Sequence, residues 1–287
     1  MPRQTAAATV PDDSPLARDR AVRAAVMRRV AAYEVVRRPH AFYTGRTAVA
    51  IYARLFDDDH GEGPLEVAVL APARAPRCTG VHGIQIAPGL TSVRSFGGLP
   101  VASPASVWAG LGGELGERDL VRLGDALVRV PRAEGGLPVP RAQLATIAQL
   151  RAAADAPRRM HRGTLDAALA RVRVGSMSPL ETDYRLDAQD AGLPEPVLDL
   201  EIRDASGRLL GIGDAAYPQL RVVAEIEGRH HRTSDAQWER DIEKYAALAA
   251  AGWEVVRVTG RSIRAGRAAA LVGTALRRHG WDGRPEI

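Results

Sequence analysis

The stretch Asp214-Ala-Ala-Tyr217-Pro-Gln-Leu-Arg221-Val-Val-Ala-Glu225-Ile-Glu227-Gly228 decides how the second half of this 287-residue chain folds. From Arg221 onward the side chains alternate. Val222, Ala224 and Ile226 fall on one face of a strand, and Val223, Glu225 and Glu227 on the other. The two glutamates are thus same-face neighbours, ~6.6 Å apart along the strand. Asp214 lies near the end of the preceding apolar run, Leu209 to Tyr217, and Pro218-Gln219 supplies a short turn between the runs. Closing that hairpin brings Asp214 within one or two pairing positions of Glu225. Carboxylates crowded together repel one another unless a cation sits among them, and Mg²⁺ prefers an all-oxygen, partly hydrated site. The pattern is that of a metal-dependent phosphodiesterase.

The surrounding segments extend the reading. Ser178-Pro179-Leu180-Glu181 starts a helix, with Ser as N-cap, Pro at the first helical position and Glu closing a capping box. That helix ends at Gly192, ahead of Pro194 and Pro196. Strands are expected over about 197–203, 208–217 and 221–227. Ser234 and Gln237 cap a second helix with an apolar stripe of Trp238, Ile242, Tyr245 and Ala249, ended by Gly252. Trp253 to Val258 forms a strand, and a last helix follows over about 262–278. The order is α-β-β-β-α-β-α, an α/β unit with a mixed sheet flanked by helices.

Asp214, then Glu225-Ile-Glu227-Gly-Arg-His-His231-Arg-Thr, then Trp238-Glu-Arg-Asp241, then Ala251-Gly-Trp-Glu-Val-Val-Arg-Val258 resembles a very-short-patch-repair-like endonuclease domain of the PD-(D/E)xK superfamily. The resemblance covers roughly residues 175–280 and implies a restriction-endonuclease-like fold and Mg²⁺-dependent (or Mn²⁺-dependent) cleavage of DNA, with RNA as the other substrate class. It implies Asp214 and Glu225 as metal ligands, with Glu181 as a further acidic group near the metal. It also implies Glu227 and His231 as the groups that position water or move its proton, and Asp241 as a supporting catalytic position. His230 is extra to the pattern. Arg229, Arg232 and Arg257 are candidate phosphate contacts. The superfamily often has lysine where this chain has Glu227, and the only lysine, Lys244, comes too late in sequence for that place.

Each assignment competes with an ordinary one. Asp214 and Glu227 sit where strand-end charges sit, His231 where a surface histidine would, Asp241 where a carboxylate favours the helix dipole, and the cap alone accounts for Glu181. Asp57-Asp-Asp-His60 reads as a solvated Gly-rich loop. Gly110, Gly112 and Gly113 lack the context of a dinucleotide fingerprint.

The first half is read as a lead-in over residues 1–18, an α+β domain over 19–140, and linking helices over 141–174 ahead of the nuclease-like 175–287. Helical spacing marks 19–37 and 44–55, a strand marks Leu65–Leu70, and further helices lie near 105–112 and 117–129. Arg132 to Pro140 is a Gly/Pro hinge. Thr47-Ala-Val-Ala, Leu65-Glu-Val-Ala-Val and Gly98-Leu-Pro-Val-Ala-Ser-Pro resemble the antitoxin-like domain of abortive-infection type IV toxin–antitoxin systems. That likeness implies DNA or a protein as partner. It also supports a rival reading, a non-catalytic DNA-binding regulator on a nuclease-like scaffold.

The net charge is +5, and all but one of the 39 basic side chains are Arg. Such a balance suits a polyanion, although GC-rich codons produce the same composition. One cysteine, Cys78, excludes an internal disulfide or a thiolate metal cluster. No run is long and apolar enough to span a membrane and no signal core is present, so the cytoplasm is the expected compartment.

Overall fold

The computed structural model describes residues 17–53, 63–133, 136–227 and 235–284, with the side chains of 17–19 and 235–241 left aside. The chain is an α/β protein, and its described residues form two mixed sheets and no closed barrel.

In the first half, α1 (Ala17–Glu34) and α2 (Gly45–Ile51) flank β1 (Phe42–Tyr43), and β2 (Leu65–Leu70), β3 (Val81–Ile86), β4 (Val93–Phe96) and β5 (Leu99–Ala102) follow. The sheet order is β3-β2-β1-β5-β4. The stretch after β2 folds only partly as a hairpin. β4 and β5 pair antiparallel, but β3 runs parallel to β2. Next come α3 (Pro104–Gly110), α4 (Glu117–Val128), α5 (Ile147–Ala154) and α6 (Arg162–Arg171). The segment read as linking helices joins the first core, where Leu150, Ala154, Leu165, Ala168 and Leu169 pack with Trp108, Leu120 and Leu127. Burial of α5 and α6 against α3 and α4 thus decides their place, which no local signal carried.

The second half follows the expected order: α7 (Pro179–Asp190), β6 (Val197–Arg203), β7 (Leu209–Tyr217), β8 (Val222–Glu227), α8 (Asp235–Ala250), β9 (Glu254–Thr259), α9 (Gly260–Arg264) and α10 (Ala268–Arg278). The single helix expected over 262–278 is two, parted at Gly266 (φ +64°). Ser178 caps α7 as expected, accepting from the Glu181 N–H at 3.3 Å, but Glu181 does not close the expected box, because its carboxylate takes the Met177 N–H instead of the Ser178 N–H. The sheet order is β6-β7-β8-β9, with β8 and β9 parallel and joined through α8.

Each face of this sheet has its own core. Val222, Ala224 and Ile226 pack with Tyr184 of α7 and Val272 and Leu276 of α10, while Val223 packs with Leu248 of α8. The alternation along β8 therefore sorts its side chains as the sequence requires. The stripe of α8 is rotated from the expected one: Leu248 is buried, whereas Ile242 and Ala249 are exposed. The Ala-rich C-terminal turns let α8 lie close on Val223, and that contact outranks the hydrophobicity of Ile242.

The two halves are joined by a buried ion pair. Arg185 of α7 donates to Asp125 of α4 at 2.7 Å, with side chains 2% and 1% exposed. Asp125 also accepts from Thr182 Oγ1 at 2.9 Å and from the Arg173 N–H at 2.8 Å. Desolvation raises the Asp125 carboxyl pKa above its ordinary value, against the opposing pull of Arg185 and these donors. Among the described residues, no helix is long and apolar enough to cross a membrane.

Candidate functional site

β7 and β8 pair through Ala215↔Ala224, Ala216↔Val223 and Tyr217↔Val222. Continued by one residue, that register sets Asp214 opposite Glu225, the neighbourhood that closing the hairpin requires. The turn takes a short 3-10 form over Pro218–Leu220, with Arg221 in the left-handed region (φ +47°) and its Nη1 on the Ala251 carbonyl at 2.8 Å. Beyond Ala215 the backbone pairing stops and a side chain takes over: Asp214 Oδ2 accepts from the Ile226 N–H at 2.7 Å. On the other side of β7 the ladder skips a position, from Leu198↔Ala215 to Leu200↔Gly213. Asp199, at the skipped position, has φ +52°. Two acidic residues thus occupy a local irregularity of the sheet, as side chains re-aimed at a functional point often do.

Glu181 reaches this point from the first turn of α7. Its Oε2 accepts from the Met177 N–H at 2.7 Å and its Oε1 from Ser178 Oγ at 2.8 Å, so it is both a cap and a buried carboxyl. Burial, and after it the negative charge of Asp214, pushes the Glu181 pKa up to about 8; Asp199 adds to the effect. Asp214, Glu181 and Asp199 therefore form one electrostatic neighbourhood.

Glu225 is buried and turned toward α8. Its Oε2 accepts from Lys244 Nζ at 2.7 Å, and the same ammonium donates to the Ile212 carbonyl at 2.7 Å. Sequence order put Lys244 outside the site; α8 folds back over the sheet and brings it in. Lys244 lies four residues before Leu248 and so shares the sheet-facing side of the helix, a side the expected stripe did not mark. Gly211 makes the approach possible. A Cβ there would stand 2.8 Å from Lys244 Cε, so any side chain would displace the lysine stem.

The remaining expectations divide. Glu227 is half-buried and pairs with Arg257, which also lies over the Tyr245 ring, 5.9 Å from its centroid. Arg229, His230, His231 and Arg232 lie outside the described residues, and Asp241 is described only as part of the α8 backbone.

Of the basic run at 158–173, Arg162 pairs with Asp155 and Asp166, Arg171 with Glu117 and Asp190, and Arg173 with Glu195. These arginines are paired with carboxylates, and their presence in the sequence is no measure of a phosphate-binding face.

Arg132 went unnoticed as a site neighbour. From the Gly/Pro segment of the first half it donates to both Asp199 oxygens, at 2.8 and 2.9 Å, to Glu201 Oε1 at 3.0 Å and to the Asp199 carbonyl at 3.0 Å. The expected hinge is thus pinned to the acidic edge of the second sheet.

In chemical kind the donors suit a hard divalent cation, because they are carboxylates. In position they stand as two groups, Glu181 beside Asp214 and Glu225 on Lys244. Among the described residues no three His, Cys, Asp or Glu side chains converge as a ready-made metal cluster.

Comparison with known proteins adds a distant likeness. A segment of 103 residues, 35% of this chain, is 33% identical to two uncharacterized proteins of Mycobacterium tuberculosis, MT2308 of strain CDC 1551 / Oshkosh and Rv2248 of strain ATCC 25618 / H37Rv. The aligned segment spans 38% of each relative's length. No family model and no solved structure matches the chain.

Proposed function

We propose that the second half is a Mg²⁺-dependent phosphodiesterase acting on DNA. The observation that carries this reading is the Lys244 ammonium held on Glu225 one strand position from Asp214. An acidic strand pair with an adjoining lysine is a constellation suited to phosphoryl chemistry, because carboxylates hold a cation while a fixed ammonium stabilises phosphate charge.

Asp214 and Glu225 would hold the ion, with Glu181 adding charge from α7. When bound, Mg²⁺ supplies charge stabilisation at the phosphate and lowers the pKa of water. The chain's own residues do the positioning. Ile226 N–H fixes Asp214, and Met177 N–H and Ser178 fix Glu181. The Ile212 carbonyl and Glu225 hold Lys244 in place, from where it would orient water or meet a non-bridging phosphate oxygen. This role replaces the lysine absent at Glu227. DNA as substrate and the cytoplasm as compartment belong to the proposal.

The test is nicking of supercoiled plasmid with Mg²⁺ or Mn²⁺, wild type beside Asp214→Ala and Lys244→Ala. Cleavage by wild type and loss in both variants is expected. Inert wild type, or variants that cleave equally well, would overturn it and favour a DNA-binding regulator.

A further inference from the structure

A second candidate site lies in the first half, away from the carboxylates. A cleft of about 600 Å³ opens between the 89–92 loop, β4, the start of α3 and α5. That volume is in the range of clefts that take small organic ligands. Its lining includes Arg94 and Arg159 and no Asp or Glu. The rest of the chain makes this unusual, since so many of its arginines are matched with a carboxylate.

Arg94 is held by stacking, with its guanidinium carbon 5.0 Å from the Tyr52 ring centroid and 5.6 Å from that of Phe96. Its Nη1 donates to the Leu144 carbonyl at a long 3.4 Å, it also acts on the Tyr52 hydroxyl, and among the described residues its buried Nε has no partner. Arg159 donates to the Ala153 carbonyl at 3.0 Å and to that of Leu90. Burial lowers its pKa, with no carboxylate to oppose the effect. Both guanidinium groups are therefore fixed by the fold, and no carboxylate among the described residues pairs with either.

Hydroxyls complete the wall. Ser92 Oγ donates to Ser103 Oγ at 2.9 Å, and Ser103 Oγ to Ser106 Oγ at 2.9 Å. Ser106 Oγ also accepts from the Ser92 N–H at 3.1 Å, so its own O–H is the outward donor at the end of the chain.

We infer that this cleft binds the phosphate group of a small phosphorylated molecule, with Arg94 and Arg159 supplying charge and Ser106 supplying the hydroxyl donor. Planar guanidinium groups match the oxygen spacing of phosphate, and a tetrahedral oxyanion accepts from several directions at once, as two arginines and a serine row require. The cleft is larger than a bare ion needs, which leaves room for the molecule that carries the phosphate. The inference is independent of the proposed phosphodiesterase activity.

Calorimetric titration of the full chain with inorganic phosphate, pyrophosphate and AMP tests it, with a 5′-phosphorylated oligonucleotide as a further arm. Wild type should bind AMP or pyrophosphate saturably at one site. Arg159→Gln should weaken binding at least about tenfold. Ser92→Glu sets a carboxylate in the cleft from an exposed position, so it should abolish binding while leaving the circular dichroism spectrum and Tm unchanged. If Arg159→Gln does not fold, Ser92→Glu alone decides. Absence of binding to every small probe, binding of the oligonucleotide alone, or full affinity in Ser92→Glu would each overturn the assignment.

Discussion

Raising the pH from about 5 to about 8.5 in metal-free buffer should weaken the fold through Glu181. Its carboxyl keeps its proton to about pH 8 in the folded chain, against an ordinary value of 4.5. Between those values the folded state binds more protons than the unfolded state, so stability falls as pH rises. The contribution is complete below 4.5 and lost once the pH passes about 8. At roughly 1.4 kcal/mol per pH unit, a span of that width amounts to several kcal/mol at most. Urea unfolding of wild type and Glu181→Gln across this range measures it, and the difference between the two proteins cancels the other carboxyls. Glu181→Gln should flatten the profile. Asp214→Asn should flatten it in part, because Asp214 is the largest charge acting on Glu181. Mg²⁺ should have the same direction of effect in wild type, since a cation displaces the proton and favours the folded state. Parallel profiles for wild type and Glu181→Gln would refute the raised pKa of Glu181, and an unchanged profile in Asp214→Asn would refute the nearness of Asp214 to it.

Asp125→Ala should cost about 3–5 kcal/mol, because it leaves Arg185 charged and buried, whereas the apolar double variant Asp125→Leu/Arg185→Met should come close to wild type; chemical denaturation reads both, and equal losses would contradict the buried pair. Gly211→Val should disturb the Lys244 stem, with plasmid nicking falling at least about tenfold and Tm changing less than for Asp125→Ala; unchanged nicking would separate Lys244 from the chemistry. A fragment of residues 175–287 should have a lower Tm than the full chain, since Arg185 loses Asp125 and Asp199 loses Arg132; a fragment of equal Tm in differential scanning calorimetry would show that the second half does not depend on those contacts.

Much of the second half could be read locally. The capped start of α7, the strand alternation of β8 and the glycine that ends α8 act over one to four residues, so the sequence displays them directly. The nearness of Asp214 to Glu225 was legible for the same reason, because a short turn leaves little freedom in register. Lys244 was not: its bond to Glu225 spans a helix and depends on how α8 lies across β7, with Gly211 beneath it.

The sequence alone determined the element order of the second half from α7 to β9 and the acidic residues on its strands. Only the tertiary structure decided which cation meets which carboxylate: Lys244 at Glu225, Arg257 at Glu227, Arg132 at Asp199 and Arg185 at Asp125. With arginine at so many positions, charge type carries little information about partners. Long side chains reach whatever the packing of elements far apart in sequence brings near, and burial then determines which of those contacts are strong.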